Sequence, residues 1–123
     1  MKNNSNTKNS IHLVHYSDLG NAYRYVQLFN GRYIYIVEAK QWYVWNGKRW
    51  EADNTKSVIR NFTKVLDDIE GDTVLLDEAL QNGQITEQQC STLLRDNAKW
   101  HKISQSAGKI HAAIDLARSQ ERS

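Results

Sequence analysis

The hydrophobic positions change rhythm three times along the chain. Residues 1–10 (MKNNSNTKNS) offer nothing to bury and read as a disordered leader, with order beginning near Ile11. Ser17 is placed to cap a helix over about Asp18–Phe29, with Asp18 at its favourable N-terminal end. There Leu19, Ala22, Tyr23, Val26 and Phe29 recur at spacings of three and four, which predicts one buried face. Asn30-Gly31 ends that helix, glycine being suited to the left-handed position beyond a helix.

From Arg32 the pattern is that of strands. Arg32–Glu38 is rich in β-branched and aromatic residues, and Trp42–Trp45 is a second such run. Asn46-Gly47 signals a tight type I′ turn, with Lys48–Glu51 as the return strand. Strict alternation gives Trp42 and Val44 one face, Tyr43 and Trp45 the other. Trp42 and Trp50 are read as packing residues, Tyr43 and Trp45 as the exposed ones.

After Asn54 the helical period returns. Val58, Ile59, Phe62, Val65, Leu66 and Ile69 form an apolar stripe that Gly71 is expected to end. A shorter helix is predicted over about Thr73–Leu80, closed by Asn82-Gly83. Thr86 and Gln89 have capping-box spacing and open a helix through about Trp100. The last helix, about Ser104–Ser119, sets Ile103, Ala107, Ile110, Ile114 and Ala117 on one seam. The fold predicted is α+β and mostly helical: a small antiparallel meander over about 32–51, packed on a helical bundle within one domain, 11–123.

Composition adds limits. Net charge is only +2, but residues 1–70 carry ten Lys/Arg against seven Asp/Glu, and residues 71–123 six against seven. A phosphate-facing surface is therefore sought in the N-terminal half. Cys90 is the only cysteine, so no internal disulfide or cysteine-based metal cluster can form, and a reduced, cytoplasmic setting is expected. No stretch approaches the ~20 apolar residues that span a bilayer, so no membrane partner is expected.

Three stretches together resemble the N-terminal domain of phage-satellite and plasmid primase–helicases, a domain also related to part of the poxvirus primase–helicase. They are Ser17-Asp18-Leu19-Gly20-Asn21-Ala22, the hairpin Trp42-Tyr43-Val44-Trp45-Asn46-Gly47-Lys48-Arg49-Trp50-Glu51, and Trp100 through Ala117 with its Ser106, Ile110, Ala113, Ile114 and Ala117. Order and spacing agree over about residues 17–118, and the hairpin is the most specific of the three. The resemblance implies a domain that sits between a primase module and a hexameric superfamily 3 helicase. Such a domain helps engage DNA or connects the modules, with no active site of its own. The chain has no Walker A motif and no polymerase motif, so it reads as an excised segment or a stand-alone version.

The candidate contact residues follow from chemistry that suits DNA. Tyr43 and Trp45 offer ring faces to bases, and Lys48 and Arg49 place positive charge beside them at the hairpin tip. Lys56, Arg60 and Lys64 stand four apart and are expected to align in one row on the helix, opposite much of its apolar stripe, a row able to follow a phosphate backbone. An ordinary solvated turn and helix face account equally for both groups. Arg95, Lys99 and Lys102 make a weaker row. His12, His15, His101 and His111 lack metal-site spacing, and Asp67 and Asp68, as helix neighbours, diverge by about 100°. No metal, cofactor or catalytic residue is therefore expected. The function read from the sequence is a non-catalytic replication accessory domain that binds single-stranded or forked DNA or couples primase to helicase. The alternative is an interaction module that docks on a helicase or primase to recruit or inhibit it.

Overall fold

The computed structural model describes residues 16–119; the predicted leader and His12 and His15 lie outside them. The described chain forms α1 (Asp18–Leu28), β1 (Tyr33–Ile36), β2 (Gln41–Trp45), β3 (Trp50–Ala52), α2 (Ser57–Arg60), α3 (Thr63–Gln81), α4 (Glu87–Ile103) and α5 (Ala107–Ala117). This is the mostly helical α+β architecture that the pattern predicts, with the three strands in one antiparallel meander, β1-β2-β3.

Helix α1 starts where expected, the Ser17 hydroxyl accepting from the Gly20 amide at 3.0 Å. Its buried face is turned from the predicted one. Leu19 and Tyr23 are exposed, whereas Asn21, Ala22 and Tyr25 are buried. The turn follows from Asn21, whose amide donates to Ser104 Oγ at 3.0 Å and accepts from the Trp100 indole at 3.0 Å. A polar side chain with two buried partners outweighs an apolar one left in water.

Two further elements depart from the reading. Gly71 does not end a helix: α3 runs 19 residues through it and replaces the two helices predicted there. Val65, Ile69, Asp72, Leu76 and Ala79 are buried at spacings of four and three, so packing continues across the glycine and offsets its ~1 kcal/mol helix penalty. The last helix begins later than expected, at Ala107 with Ser106 as its cap, and Ile103 ends α4 half exposed instead of joining the seam. The capping box at Thr86 and Gln89 is formed in both directions, at 3.0 and 2.8 Å.

The main core joins Ala22 and Tyr25 of α1, Tyr33 of β1, Val58, Phe62, Val65 and Ile69 of α2–α3, and Ala113, Ile114 and Ala117 of α5. Trp42 and Val44 pack against it from the sheet. Helix α4 runs back along α3, and the distal part of that pair has a small core of its own around Leu76 and Cys90. Sheet and bundle are joined by polar ties. The buried Asp53 carboxylate accepts from the Ser57 amide at 3.0 Å, the Ser57 hydroxyl at 2.7 Å and the Val58 amide at 2.8 Å. The Tyr33 hydroxyl bonds Ser57 Oγ at 2.8 Å and accepts from Asn61 at 2.6 Å.

Candidate nucleic-acid interface

The pairing register decides what the sheet shows to solvent. Tyr33 lies opposite Val44 and Tyr35 opposite Trp42, and these four face the bundle. The other face carries Ile34 beside Tyr43 beside Ala52, and Trp45 beside Trp50. The Trp45 amide donates to the Arg32 carbonyl at 2.9 Å, which extends the register by one pair and sets Arg32 opposite Trp45. The outer face is thus two rows deep, Arg32–Trp45–Trp50 above Ile34–Tyr43–Ala52. Side chains of one strand face repeat every second residue, so the rows stand about 7 Å apart.

This register corrects the reading of Trp50. Four residues, Asn46–Arg49, lie between the paired Trp45 and Trp50, not the two of a type I′ turn with Asn46-Gly47 at its centre. The Asn46 side chain accepts from the amides of Lys48 and Arg49 at 2.8 and 2.9 Å, and Gly47 has φ +99°. Residues 48 and 49 therefore belong to the turn, and Trp50 stands opposite Trp45 rather than Tyr43, on the outer face that either turn length gives it. Trp45 and Trp50 are 38% and 37% exposed, their rings in an edge-to-face pair with centroids 5.5 Å apart. Such a pair adds about 0.5–1.5 kcal/mol to the hairpin, yet leaves large ring area in water.

The predicted residues fall into two groups. Tyr43 and Trp45 share the outer face, but Tyr43 is half-buried rather than exposed as expected, while Lys48 and Arg49 are exposed in the loop that joins Trp45 to Trp50. Lys56, Arg60 and Lys64 do not form a row on one helix. Lys56 precedes α2 with φ +62°, Arg60 ends α2, and Lys64 belongs to α3 beyond the break at Asn61–Phe62. The Arg60 guanidinium is turned back on the carbonyl and hydroxyl of Thr55. Sequence reasoning missed Arg32 and Trp50. The signal for both was alternation along the paired strands, which puts Arg32 and Trp50 on the face of Tyr43 and Trp45.

The perturbed titratable groups lie elsewhere, where α1 meets α3. Arg24 bonds Asp72 at 2.7 Å and Asp68 at 2.8 Å, and Asp72 also accepts from the Tyr16 hydroxyl at 3.3 Å. Burial acts to lower the Arg24 guanidinium, but the two carboxylates outweigh it and hold it above its ordinary value. Burial pushes Asp72 up against the pull of Arg24, and burial also raises Tyr16 and Tyr25. Each has a packing partner, so these groups clamp helices together. The recess lined by Tyr25, Phe29, Tyr33 and Trp42 has a volume of about 10 Å³, too small for more than one water. Among the described residues, no three His, Cys, Asp or Glu side chains converge as a metal site would require.

Comparison with known proteins then bears on the hairpin and the helices around it. The family model described as "D5 N terminal like" matches residues 22–123, most of the chain. The chain belongs to the D5 N-terminal-like family. No curated protein and no solved structure matches it. The D5 N-terminal-like domain is the N-terminal domain of primase–helicases and is not itself catalytic, so membership fits a replication-associated accessory role and association with a helicase or primase module. Among the described residues of this D5 N-terminal-like chain, no helix is long and apolar enough to cross a membrane.

Proposed function

We propose that this domain is a replication accessory module that engages DNA through the outer face and tip of its β-hairpin. The observation that carries the reading is the outer face of half-buried Tyr43 and exposed Trp45 and Trp50, flanked by Arg32 on one side and Lys48 and Arg49 at the tip. Folding accounts for Trp42, which packs on the core, but leaves Trp45 and Trp50 paired with each other at the surface and more than a third exposed. Aromatic faces beside cations suit a ligand that has both bases and phosphates. Lys56 and Lys64, both exposed, extend the proposed contact set, with Arg60 committed mainly to Thr55. The mechanism is phosphate neutralisation with stacking and involves no chemistry on the DNA.

The test is fluorescence anisotropy with labelled DNA across a salt series. Lys48→Ala/Arg49→Ala is expected to weaken binding and to reduce the slope of log K against log salt by about 1.4 to 1.8, the value for two lost phosphate contacts. An unchanged slope moves the contact to Lys56 and Lys64, and their double substitution then decides. No salt-sensitive binding with any DNA form overturns the reading.

A second reading, docking on a helicase or primase module, is favoured by the α3–α4 pair. Residues 65–94 hold seven acidic side chains and no Lys or Arg, with Val74 and Leu94 exposed among them. That arm repels phosphate and suits a basic protein surface. Pull-down of a helicase or primase module that is lost on Asp77→Lys/Glu78→Lys would support it.

A further inference from the structure

We infer that the ligand of the outer sheet face is unpaired DNA, held as two adjacent nucleotides, one base on Tyr43 and the next on the Trp45–Trp50 pair. This rests on the DNA reading and adds to it the form of the DNA, the number of stacking positions and the roles of Trp50 and Arg32.

The rings are displayed on a sheet, and that restricts what can meet them. Inside a duplex each base is covered on both faces by neighbours 3.4 Å away along its strand, so only its edges and the phosphates are accessible. A ring standing on a strand cannot reach a covered base face. An unpaired strand has free base faces, and stacking on aromatic side chains is the interaction they favour.

The spacing then gives the count. Tyr43 and Trp45 are two residues apart on β2, about 7 Å, roughly twice the step between stacked bases. Consecutive bases that sit on them must separate from each other, which an unpaired strand permits. Trp45 and Trp50 form one stacking position rather than two, because the edge of one ring abuts the face of the other at 61°. Ile34 and Ala52 flank Tyr43 and supply apolar contact without a competing ring. Phosphates beside the upper base fall toward Arg32, opposite Trp45 just before the start of β1, and toward Lys48 and Arg49 in the loop between β2 and β3. No Asp or Glu belongs to this face: Glu51 is paired with Val44 and points to the other side.

The experiment compares, at one salt concentration, labelled dT8, a blunt dA·dT duplex and an abasic oligonucleotide of eight sugar–phosphate units. The dT8 is expected to bind at least about tenfold more tightly than either of the others and to quench tryptophan fluorescence. Trp50→Leu and Tyr43→Leu, each shown folded by circular dichroism, are expected to weaken dT8 binding about 5- to 140-fold and leave duplex binding unchanged. The abasic comparison needs no variant and so stands even if the hairpin tolerates no substitution. Equal affinity for abasic strand and dT8, or for duplex and dT8, overturns the stacking inference while the DNA reading survives on phosphate contacts. Failure of every form to bind overturns both and leaves protein docking as the use of this face.

Discussion

Asp53→Ala tests how the sheet is held on the bundle. The carboxylate is 4% exposed and accepts three hydrogen bonds, two of them from backbone amides at the start of α2. Loss of a helix cap costs about 0.5–2 kcal/mol, and a hydrogen bond to a charged group contributes about 1.5–3 kcal/mol. The bonds act together, water partly replaces the lost acceptor, and the Ser57 hydroxyl can turn to Tyr33. A net loss of about 3 kcal/mol is expected, a large share of the ~5–15 kcal/mol that stabilises a domain. Urea unfolding followed by far-ultraviolet circular dichroism measures it. With a slope near ~1.5 kcal/mol/M the midpoint falls by about 2 M. Asp53→Asn keeps an acceptor for Ser57 but can present its NH2 to the Val58 amide, so it is expected to fall between wild type and alanine. A loss below about 1 kcal/mol for Asp53→Ala would show that the junction is held by packing, and that the polar ties are incidental.

Two other substitutions test the helices. Gly71→Ala is expected to stabilise by about 1 kcal/mol and raise Tm by roughly 4 °C, because a methyl group there meets nothing within 4 Å and the backbone is already helical; a neutral or negative shift in a thermal melt would contradict an uninterrupted α3. Asp72 holds its proton more tightly folded than unfolded, since burial raises it, so its ionisation removes stability as pH climbs from about 4 through the raised native value and no more above it. Asp72→Asn lacks that loss. Urea midpoints between pH 4 and 7 are expected to move in the variant's favour relative to wild type as pH rises, and a constant difference would refute the assignment.

The helical face of α3, the capping box at Thr86 and the existence of three strands were all legible, because each rests on local periodicity or a local hydrogen bond. What was hidden depends on distant partners. Asn21, Asn97, Ser104 and Asp53 are polar and nothing in their local pattern marks them for burial, yet all four are buried, each satisfied by a group remote in sequence or by the start of a neighbouring helix. Gly71 imitates a helix end, and the partners Arg24 and Tyr16, both remote in sequence, make Asp72 an acceptable buried residue. Trp50 was misplaced because alternation was not carried across the turn: two- and four-residue connections have the same parity, so either sets Trp50 on the face of Tyr43 and Trp45, and only its partner changes, from Tyr43 to Trp45. The grouping of Tyr43, Trp45, Lys48 and Arg49 on one hairpin was legible, while the break at Asn61–Phe62 that divides Lys56, Arg60 and Lys64 was not.

The length of α3 has a consequence for how the domain approaches a polyanion. Nineteen residues carry the chain roughly 28 Å from the sheet junction at Asn61 to the turn at Asn82. The sheet end carries Arg32, Lys40, Lys48, Arg49 and Lys56 against Glu38, Glu51 and Asp53, a small excess of positive charge, while Asp77, Glu78 and Glu87 stand at the other end, in a stretch from 65 to 94 that has no Lys or Arg. A molecule of net charge +2 thus carries its charge unevenly along α3. On the proposed DNA reading, that unevenness would turn the sheet toward the polyanion within the ~8 Å over which physiological salt lets charges be felt. The acidic arm would then act as a vane, setting the angle of arrival and the rate of productive encounters and leaving the lifetime of the bound state to the proposed contacts on the sheet.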